Sequence, residues 1–145
     1  MPESYALALL ANWDGALPVD PVAIANDCGL AVREEPELKE LQLSGYLDCP
    51  NHVILYNPYE PIARQRFTIA HELGHYLLGH GSANRGNKRS NSAMIEVQAN
   101  KFAAELLMPE SAIRQNMNLS APELCELFGV SARALEYRLK NLGII

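Results

Sequence analysis

The sequence predicts an α+β domain that is mostly helical, with a small three-stranded sheet and a C-terminal pair of helices. Short β-prone segments lie in the first half of the chain, and apolar residues recur at helical spacing in the second half. With 145 residues, 48% of them hydrophobic, the chain can bury one core without disulfide bonds. We expect a single domain over residues 1–145, in which 119–145 is a helix-turn-helix-like segment and not a separate domain.

Cysteine usage, hydropathy and charge exclude several classes of protein. The three cysteines, Cys28, Cys49 and Cys125, are odd in number and widely spaced, which argues against a disulfide framework and favours a reducing cytoplasm. The apolar stretch 5–11 is far shorter than the roughly 20 residues of a membrane span, so we expect no membrane segment. A formal charge of −5 argues against a protein whose main task is to neutralise phosphates.

The first half of the chain predicts two short helices and the sheet. One helix covers about residues 3–13, and a second begins after Asp20, because an aspartate followed by proline is typical of a helix N-terminus. A short strand follows at 31–33. Segments 41–48 and 52–56 are expected to form a hairpin, because β-formers flank a turn-forming sequence.

From Pro61 onward the apolar period becomes that of a helix. Apolar residues fill two of its faces, and a helix that is apolar on two sides is buried. Residues 81–92 lack an apolar period, so we expect an exposed, mobile loop there. Helical spacing resumes from Met94 to Met108. The loop contains the basic cluster of the chain, which we expect to be solvated: Arg85, Lys88 and Arg89.

Two more helices are expected near the C-terminus, capped by Ser120 and Ser131 and separated by Gly129. This is the outline of a helix-turn-helix. A recognition helix normally brings a net positive face to DNA phosphates, whereas the acidic and basic residues of this segment balance. We therefore expect the segment to serve packing or partner docking, and we expect no direct DNA binding.

Residues 71–75 form the pattern His-Glu-x-x-His inside the long predicted helix. Two histidines four residues apart on a helix project from the same face and can bind one metal ion. In metallopeptidases with this pattern the glutamate is the general base towards a water that the metal activates, which assigns that role to Glu72. A tetrahedral catalytic site needs a third protein ligand besides His71 and His75.

Two residues are candidates for the third ligand, His80 and Glu96. The metzincin pattern places a glycine three and a histidine six residues after the second motif histidine. Here Gly79 and His80 stand four and five residues after it, so that pattern does not match. Glu96, with Asn100 one turn later, resembles the gluzincin plan, in which a downstream helix supplies a carboxylate ligand and a polar residue that hydrogen-bonds a ligating imidazole. We therefore predict Glu96 as the third ligand, with Asn100 holding one of the two imidazoles.

Two sequence blocks, 66–80 and 96–109, resemble motifs of the ImmA/IrrE family of small zinc metallopeptidases. They read RFTIAHELGHYLLGH and EVQANKFAAELLMP, and a weaker similarity extends over nearly the whole chain. The resemblance implies a minimal zincin-like fold and a zinc endopeptidase. In it His71, His75 and Glu96 would bind zinc or, alternatively, manganese, and Glu72 would be the general base.

The resemblance also implies a biological role. It points to a cytoplasmic protein of bacterial, phage or mobile-element origin that cleaves or otherwise inactivates its protein partner, a helix-turn-helix transcriptional repressor. Some members of the family act instead as the toxin of a toxin-antitoxin pair. The competing hypothesis is a non-enzymatic, metal-stabilised toxin or regulator that acts by binding a repressor or antitoxin partner.

Two details of the site stay open at the level of sequence. His80 is expected at a helix end, where an imidazole can meet unpaired carbonyl groups. A hydrogen-bond donor to the oxyanion that forms during peptide hydrolysis is not singled out, although four tyrosines are available: Tyr46, Tyr56, Tyr59 and Tyr76.

Overall fold

The computed structural model describes residues 4–81 and 92–145. The basic cluster predicted for the loop, Arg85, Lys88 and Arg89, lies outside the described residues. The first part of the chain contains α1 (Tyr5–Leu9) with a 3-10 turn (Leu10–Asn12), α2 (Pro21–Asp27), β1 (Ala31–Glu34), α3 (Glu37–Glu40), β2 (Gly45–Asp48) and β3 (Val53–Tyr56). The second part contains α4 (Ile62–Leu77), α5 (Ser92–Leu107), α6 (Glu110–Gln115), α7 (Ala121–Phe128) and α8 (Ala132–Asn141).

The predicted α+β class with a small three-stranded sheet is confirmed. The second strand is shorter than predicted, because it begins at Gly45 and not at residue 41. The residues before it form the short helix α3 and a turn in which Gln42 has a positive φ of 56°. Neither α3 nor α6 was predicted from the sequence.

The sheet has the strand order β1-β3-β2, with β3 in the centre. β1 runs parallel to β3, starting with Ala31 opposite Val53, and β2 runs antiparallel to it. Leu47 and Ile54 are opposite each other in this ladder and both are fully buried. Because β3 takes only one side of β2, the other side of β2 is an edge of the sheet.

Helix α4 is the centre of the molecule. It packs against α2, α5, β2 and β3. Its C-terminus closes with Gly79 in the left-handed conformation, at a φ of 75°. The N–H of Gly79 donates to the carbonyl of Tyr76 (3.2 Å), and the N–H of His80 donates to the carbonyl of His75 (3.0 Å). This pair of bonds is a Schellman motif, and it turns the chain so that His80 lies back over the last turn of the helix.

The C-terminal helices dock onto α4 through one arginine. Nε of Arg66 donates to the carbonyl of Gly129 (3.1 Å), and Nη2 donates to the carbonyls of Val19 (2.6 Å) and Phe128 (3.3 Å). Ser120 begins α7 with a capping box in which Glu123 takes part. The turn between α7 and α8 is therefore fastened directly to the helix that carries the histidines.

Arg138 on α8 is buried and is not part of the helix's outer surface. It is 7% exposed, and its Nε donates to the carbonyl of Met108 at 2.9 Å. A basic side chain that is committed to the protein interior cannot contact phosphates. The three acidic residues of the segment, Glu123, Glu126 and Glu136, thus outnumber the two basic residues that reach its surface, Arg133 and Lys140.

Cys28, Cys49 and Cys125 are not joined by disulfide bonds. Among the helices within 4–81 and 92–145, none combines the length and the hydropathy that a membrane span requires.

Candidate metal centre

His71 and His75 project from the same face of α4 and lie against each other. Their Nε2 atoms are 3.0 Å apart, and their rings meet edge to face with centroids separated by 4.6 Å. The His75 side chain is fully buried, while that of His71 remains 15% exposed. The i, i+4 spacing of the motif has therefore brought two imidazole nitrogens to one point on the helix surface.

Glu96 reaches this point from α5. Its Oε2 lies 2.8 Å from Nε2 of His71, and its Oε1 lies 3.0 Å from Nε2 of His75. One candidate ligand atom from each residue falls within 4.8 Å of the other two. Two imidazoles and a carboxylate are a donor set that fits a divalent metal ion of the zinc type, and the convergence of their atoms fits a single ion.

Asn100 stands one helical turn after Glu96 and hydrogen-bonds the side chain of His71. Burial lowers the pKa of His71, but the Glu96 hydrogen bond, the charges of Glu72 and Glu96, and Asn100 together outweigh it. The pKa of His71 therefore lies above its ordinary value. Of the two imidazoles that sequence reasoning left open for Asn100, the structure selects His71.

Glu72 is buried beside the cluster without belonging to it. It is 7% exposed and lies beneath β2, where a Cβ on Gly45 would stand 3.4 Å from its Cγ. A Cβ on Gly45 would collide with Cγ2 of Thr68, so the absence of a side chain at Gly45 lets β2 lie close against α4, with Glu72 in ordinary van der Waals range. Glu72 therefore lies between α4 and the edge strand β2, next to His71 in the chain.

The His80 ring contacts other side chains at the end of α4, where unpaired carbonyl groups were the expected partners. Its Nδ1 lies 2.9 Å from Nδ1 of His75, and its Nε2 lies 2.8 Å from Oε1 of Gln98 on α5. Sequence reasoning did not assign this contact. The signal that could have found it is the spacing of His75, Gly79 and His80, which is that of a Schellman motif whose final residue returns to the last turn.

A cavity of about 650 Å³ opens beside the cluster, and His71 and Asn100 form part of its wall. Ser44, just before β2, lines it, and so do the residue that caps α8 and three residues of that helix: Ser131, Arg133, Ala134 and Tyr137. Tyr137 is the tyrosine of the described wall, and the four tyrosines named from the sequence do not line it. Sequence alone could not place α8 here, because the contact joins distant parts of the chain.

Comparison with known proteins agrees with this geometry. A family model described as the IrrE N-terminal-like domain, of peptidase family M78, matches residues 25–140. The chain belongs to peptidase family M78. The resemblance to ImmA/IrrE metallopeptidases that the two sequence blocks indicated is thereby confirmed.

Two M78 relatives carry the names of proteolytic enzymes. The radiation response metalloprotease IrrE of Deinococcus radiodurans is 38% identical over 108 residues, which are 69% of this chain and 30% of that protein. The metallopeptidase ImmA of Bacillus subtilis is 30% identical over 92 residues, which are 58% of this chain and 54% of that protein. The chain therefore spans about a third of IrrE and about half of ImmA.

A solved structure shares the fold of this M78 member. A Mycobacterium tuberculosis transcriptional regulator superposes with a TM-score of 0.61 at 17% identity, over 82% of this chain and 39% of that chain. At this identity the likeness concerns the fold alone.

Proposed function

We propose that this M78 member is a metal-dependent endopeptidase with zinc held by His71, His75 and Glu96. The observation that supports the proposal is the convergence of two imidazole nitrogens and a carboxylate, within 4.8 Å of one another, beside an open cavity. Catalytic zinc sites use three protein ligands of these types and leave one position open. Manganese is the alternative metal, and loading experiments distinguish the two.

When bound, the ion supplies Lewis acidity towards a carbonyl oxygen and lowers the pKa of a water molecule. In the proposed reaction Glu72 accepts a proton from the attacking water and later delivers it to the leaving amide nitrogen as the C–N bond breaks. The position of Glu72 supports this role, since it is buried and directly follows His71, which lines the cavity. A carboxylate sheltered from bulk solvent keeps its proton available for the leaving group.

We infer that the peptide lies extended along the outer edge of β2. This edge offers backbone N–H and C=O groups to an added strand, which is a common way to bind an extended peptide. The cavity begins at Ser44, next to β2, and extends past His71 towards Tyr137 on α8. Side chains of the bound peptide would enter it between the metal cluster and α8.

The natural substrate in this proposal is a cytoplasmic helix-turn-helix repressor, which the enzyme inactivates by cleavage. The names of IrrE and ImmA, a metalloprotease and a metallopeptidase, support a protein substrate. The repressor as partner rests on the family resemblance of the motif blocks. Because the chain spans only part of each relative, the proposal concerns the described metal centre of this chain.

The test uses the full chain, stripped of metal and reloaded with zinc or with manganese. The probes are a peptide library prepared by digesting a bacterial proteome and, where a neighbouring gene encodes one, a helix-turn-helix repressor. Products are identified by mass spectrometry. Cleavage that requires the metal and is lost in Glu72→Gln supports the proposal, and the more active metal form identifies the metal.

A different result would favour the non-enzymatic hypothesis. In that case the wild-type chain binds one metal ion and binds the repressor only when loaded, yet neither the repressor nor the library is cleaved. Glu72→Gln would then behave as the wild type in repressor binding, whereas His71 and His75 variants would lose metal and partner together.

A further inference from the structure

His80 contacts His75 on the side of the imidazole ring that points away from Glu96. The Schellman motif at the end of α4 places its backbone N–H on the carbonyl of His75, 3.0 Å away. The same turn brings the two side chains together, with Nδ1 of His80 at 2.9 Å from Nδ1 of His75. A contact between these two positions of the motif is usually apolar, and here it is a polar contact between two imidazoles.

The two ring nitrogens of His75 have different surroundings. Nε2 faces Glu96 and His71, and Nδ1 faces His80. If Nε2 serves a metal ion, the neutral ring carries its proton on Nδ1 and donates it to Nδ1 of His80.

The proton on Nδ1 of His75 determines which nitrogen of His80 carries a proton, and therefore how His80 contacts Gln98. Nδ1 of His80 is then an acceptor, so the proton of His80 resides on Nε2 and is donated to Oε1 of Gln98 at 2.8 Å. The opposite orientation of the Gln98 amide would place two donors against each other along the chain. Gln98, His80 and His75 thus have one consistent hydrogen-bonded arrangement.

We propose that His80, supported by Gln98, is a positioning residue that sets the tautomer and ring orientation of His75 for metal binding. This inference rests on the proposed metal site. Metal-ligating histidines usually donate their second N–H to a carboxylate, a backbone carbonyl or water. In this chain a neutral histidine takes that place, and its own orientation depends on a side chain of α5.

The geometry separates this role from that of a ligand. His80 contacts the nitrogen of His75 that points away from Glu96, and within 4–81 and 92–145 the cluster that can hold an ion comprises His71, His75 and Glu96 without His80. Gln98 lies on the same helix as Glu96, two residues later. The contact between His80 and Gln98 therefore connects the C-terminal end of α4 to α5 in addition to the contacts of Glu96 with His71 and His75.

The first experiment measures zinc affinity by competition with a chelator at fixed pH, and needs no peptidase activity. We expect His80→Ala to weaken zinc binding about 10- to 100-fold, the range found when outer-shell partners of metal ligands are removed. His80→Asn should retain affinity within about threefold of the wild type, because its Oδ1 can accept the same hydrogen bond. His52→Asn, at an exposed histidine outside the cluster, is the matched control.

Gln98 provides a second variant at a surface position, where the fold is not at risk. We expect Gln98→Ala to weaken zinc binding less than His80→Ala does, because it acts only through His80. The double variant should bind zinc no more weakly than His80→Ala alone. Gln115→Ala, at an exposed glutamine of α6, is the control for losing a glutamine from a helix.

A nitrogen-15 NMR spectrum of the zinc-loaded wild type tests the proton assignment directly. The proposal requires the Nε2–H tautomer for His80 and the Nδ1–H form for His75. The Nδ1–H tautomer for His80, or unchanged zinc affinity in both His80→Ala and Gln98→Ala, would overturn it. If the wild type itself binds no zinc, the proposed function fails first, so the two failures are distinguishable.

Discussion

The ring of Phe102 occupies the space in which Gly74 would carry a side chain. A Cβ on Gly74 would stand 2.9 Å from Cδ1 of that ring, closer than such atoms approach in folded proteins. Both residues are buried, Gly74 in α4 and Phe102 in α5. Because Gly74 directly precedes His75, the contact sets the separation of the two helices at the level of the metal cluster.

We expect Gly74→Ala to destabilise the protein by about 1–3 kcal/mol, the usual cost of overpacking a core. It should also weaken zinc binding, since moving α5 away withdraws Glu96 from the histidines. Urea unfolding of the metal-free protein and zinc titration measure the two effects. Adding Phe102→Leu should restore part of the zinc affinity, and wild-type affinity in Gly74→Ala alone would contradict the expectation.

Glu72→Gln keeps the size of the side chain and removes its ability to accept a proton. We expect this variant to bind zinc with the stoichiometry of the wild type and to cleave at least about 10²-fold more slowly, as when a general base is removed. Metal analysis and initial rates on a cleaved library peptide measure the two properties. Cleavage at the wild-type rate would refute the role of Glu72.

Glu96→Ala tests the third ligand. We expect a loss of zinc affinity larger than the roughly 10- to 100-fold that follows when a residue hydrogen-bonded to a ligand is removed, because here a ligand itself is removed. The matched control is Glu105→Ala on the same helix, whose carboxylate is outside the cluster. Equal zinc affinity in the two variants would show that Glu96 is not a ligand.

Arg66→Met tests the attachment of the C-terminal helices. The change leaves three backbone carbonyls without their charged donor, and we expect a loss of about 2–4 kcal/mol in the free energy of unfolding. Arg64→Met on the same helix removes the ion pair of an exposed arginine with the half-buried Glu60, and its hydrogen bond to Oγ of Ser44, and should cost at most about 1 kcal/mol. Urea unfolding of both variants makes the comparison, and similar costs would contradict the attachment role.

The capping box of α7 makes a pH-dependent contribution to the free energy of unfolding. Hydrogen bonds with the backbone and the side chain of Ser120 lower the pKa of Glu123. The stabilisation is therefore present above the pKa of the unfolded state and is lost as the pH falls through the lower, folded-state value. We expect Glu123→Gln to be less stable than the wild type at neutral pH and equally stable in acid, as measured by unfolding at both pH values. A difference that persists in acid would contradict this origin.

The composition of the site could be predicted from sequence because its chemistry depends on local spacing. His71 and His75 share a helix face whatever the rest of the fold does, and Glu96 with Asn100 repeats the same rule on the next helix. The contact of His80 depends instead on how the helix ends, which helical periodicity does not describe. Tyr137 enters the cavity wall through tertiary packing, so no local pattern indicates it.

The fold was predictable in its long elements and not in its short ones. α4 contains enough turns to show a clear apolar period, and Ser120 and Ser131 gave correct starts for the last two helices. α3 and α6 have four and six residues, too few for a period to emerge above the background of a mixed sequence. Their formation depends on the burial of single side chains such as Leu38 and Ile113.

Because α2, α5, β2 and β3 enclose α4, hydrogen exchange of its central amides requires a large opening of the molecule. Backbone amides near Ile69 and Leu73 can reach solvent only when the surrounding layers separate, so their deuterium uptake should follow global opening. We therefore expect the helix that carries His71 and His75 to be among the segments most protected from hydrogen exchange.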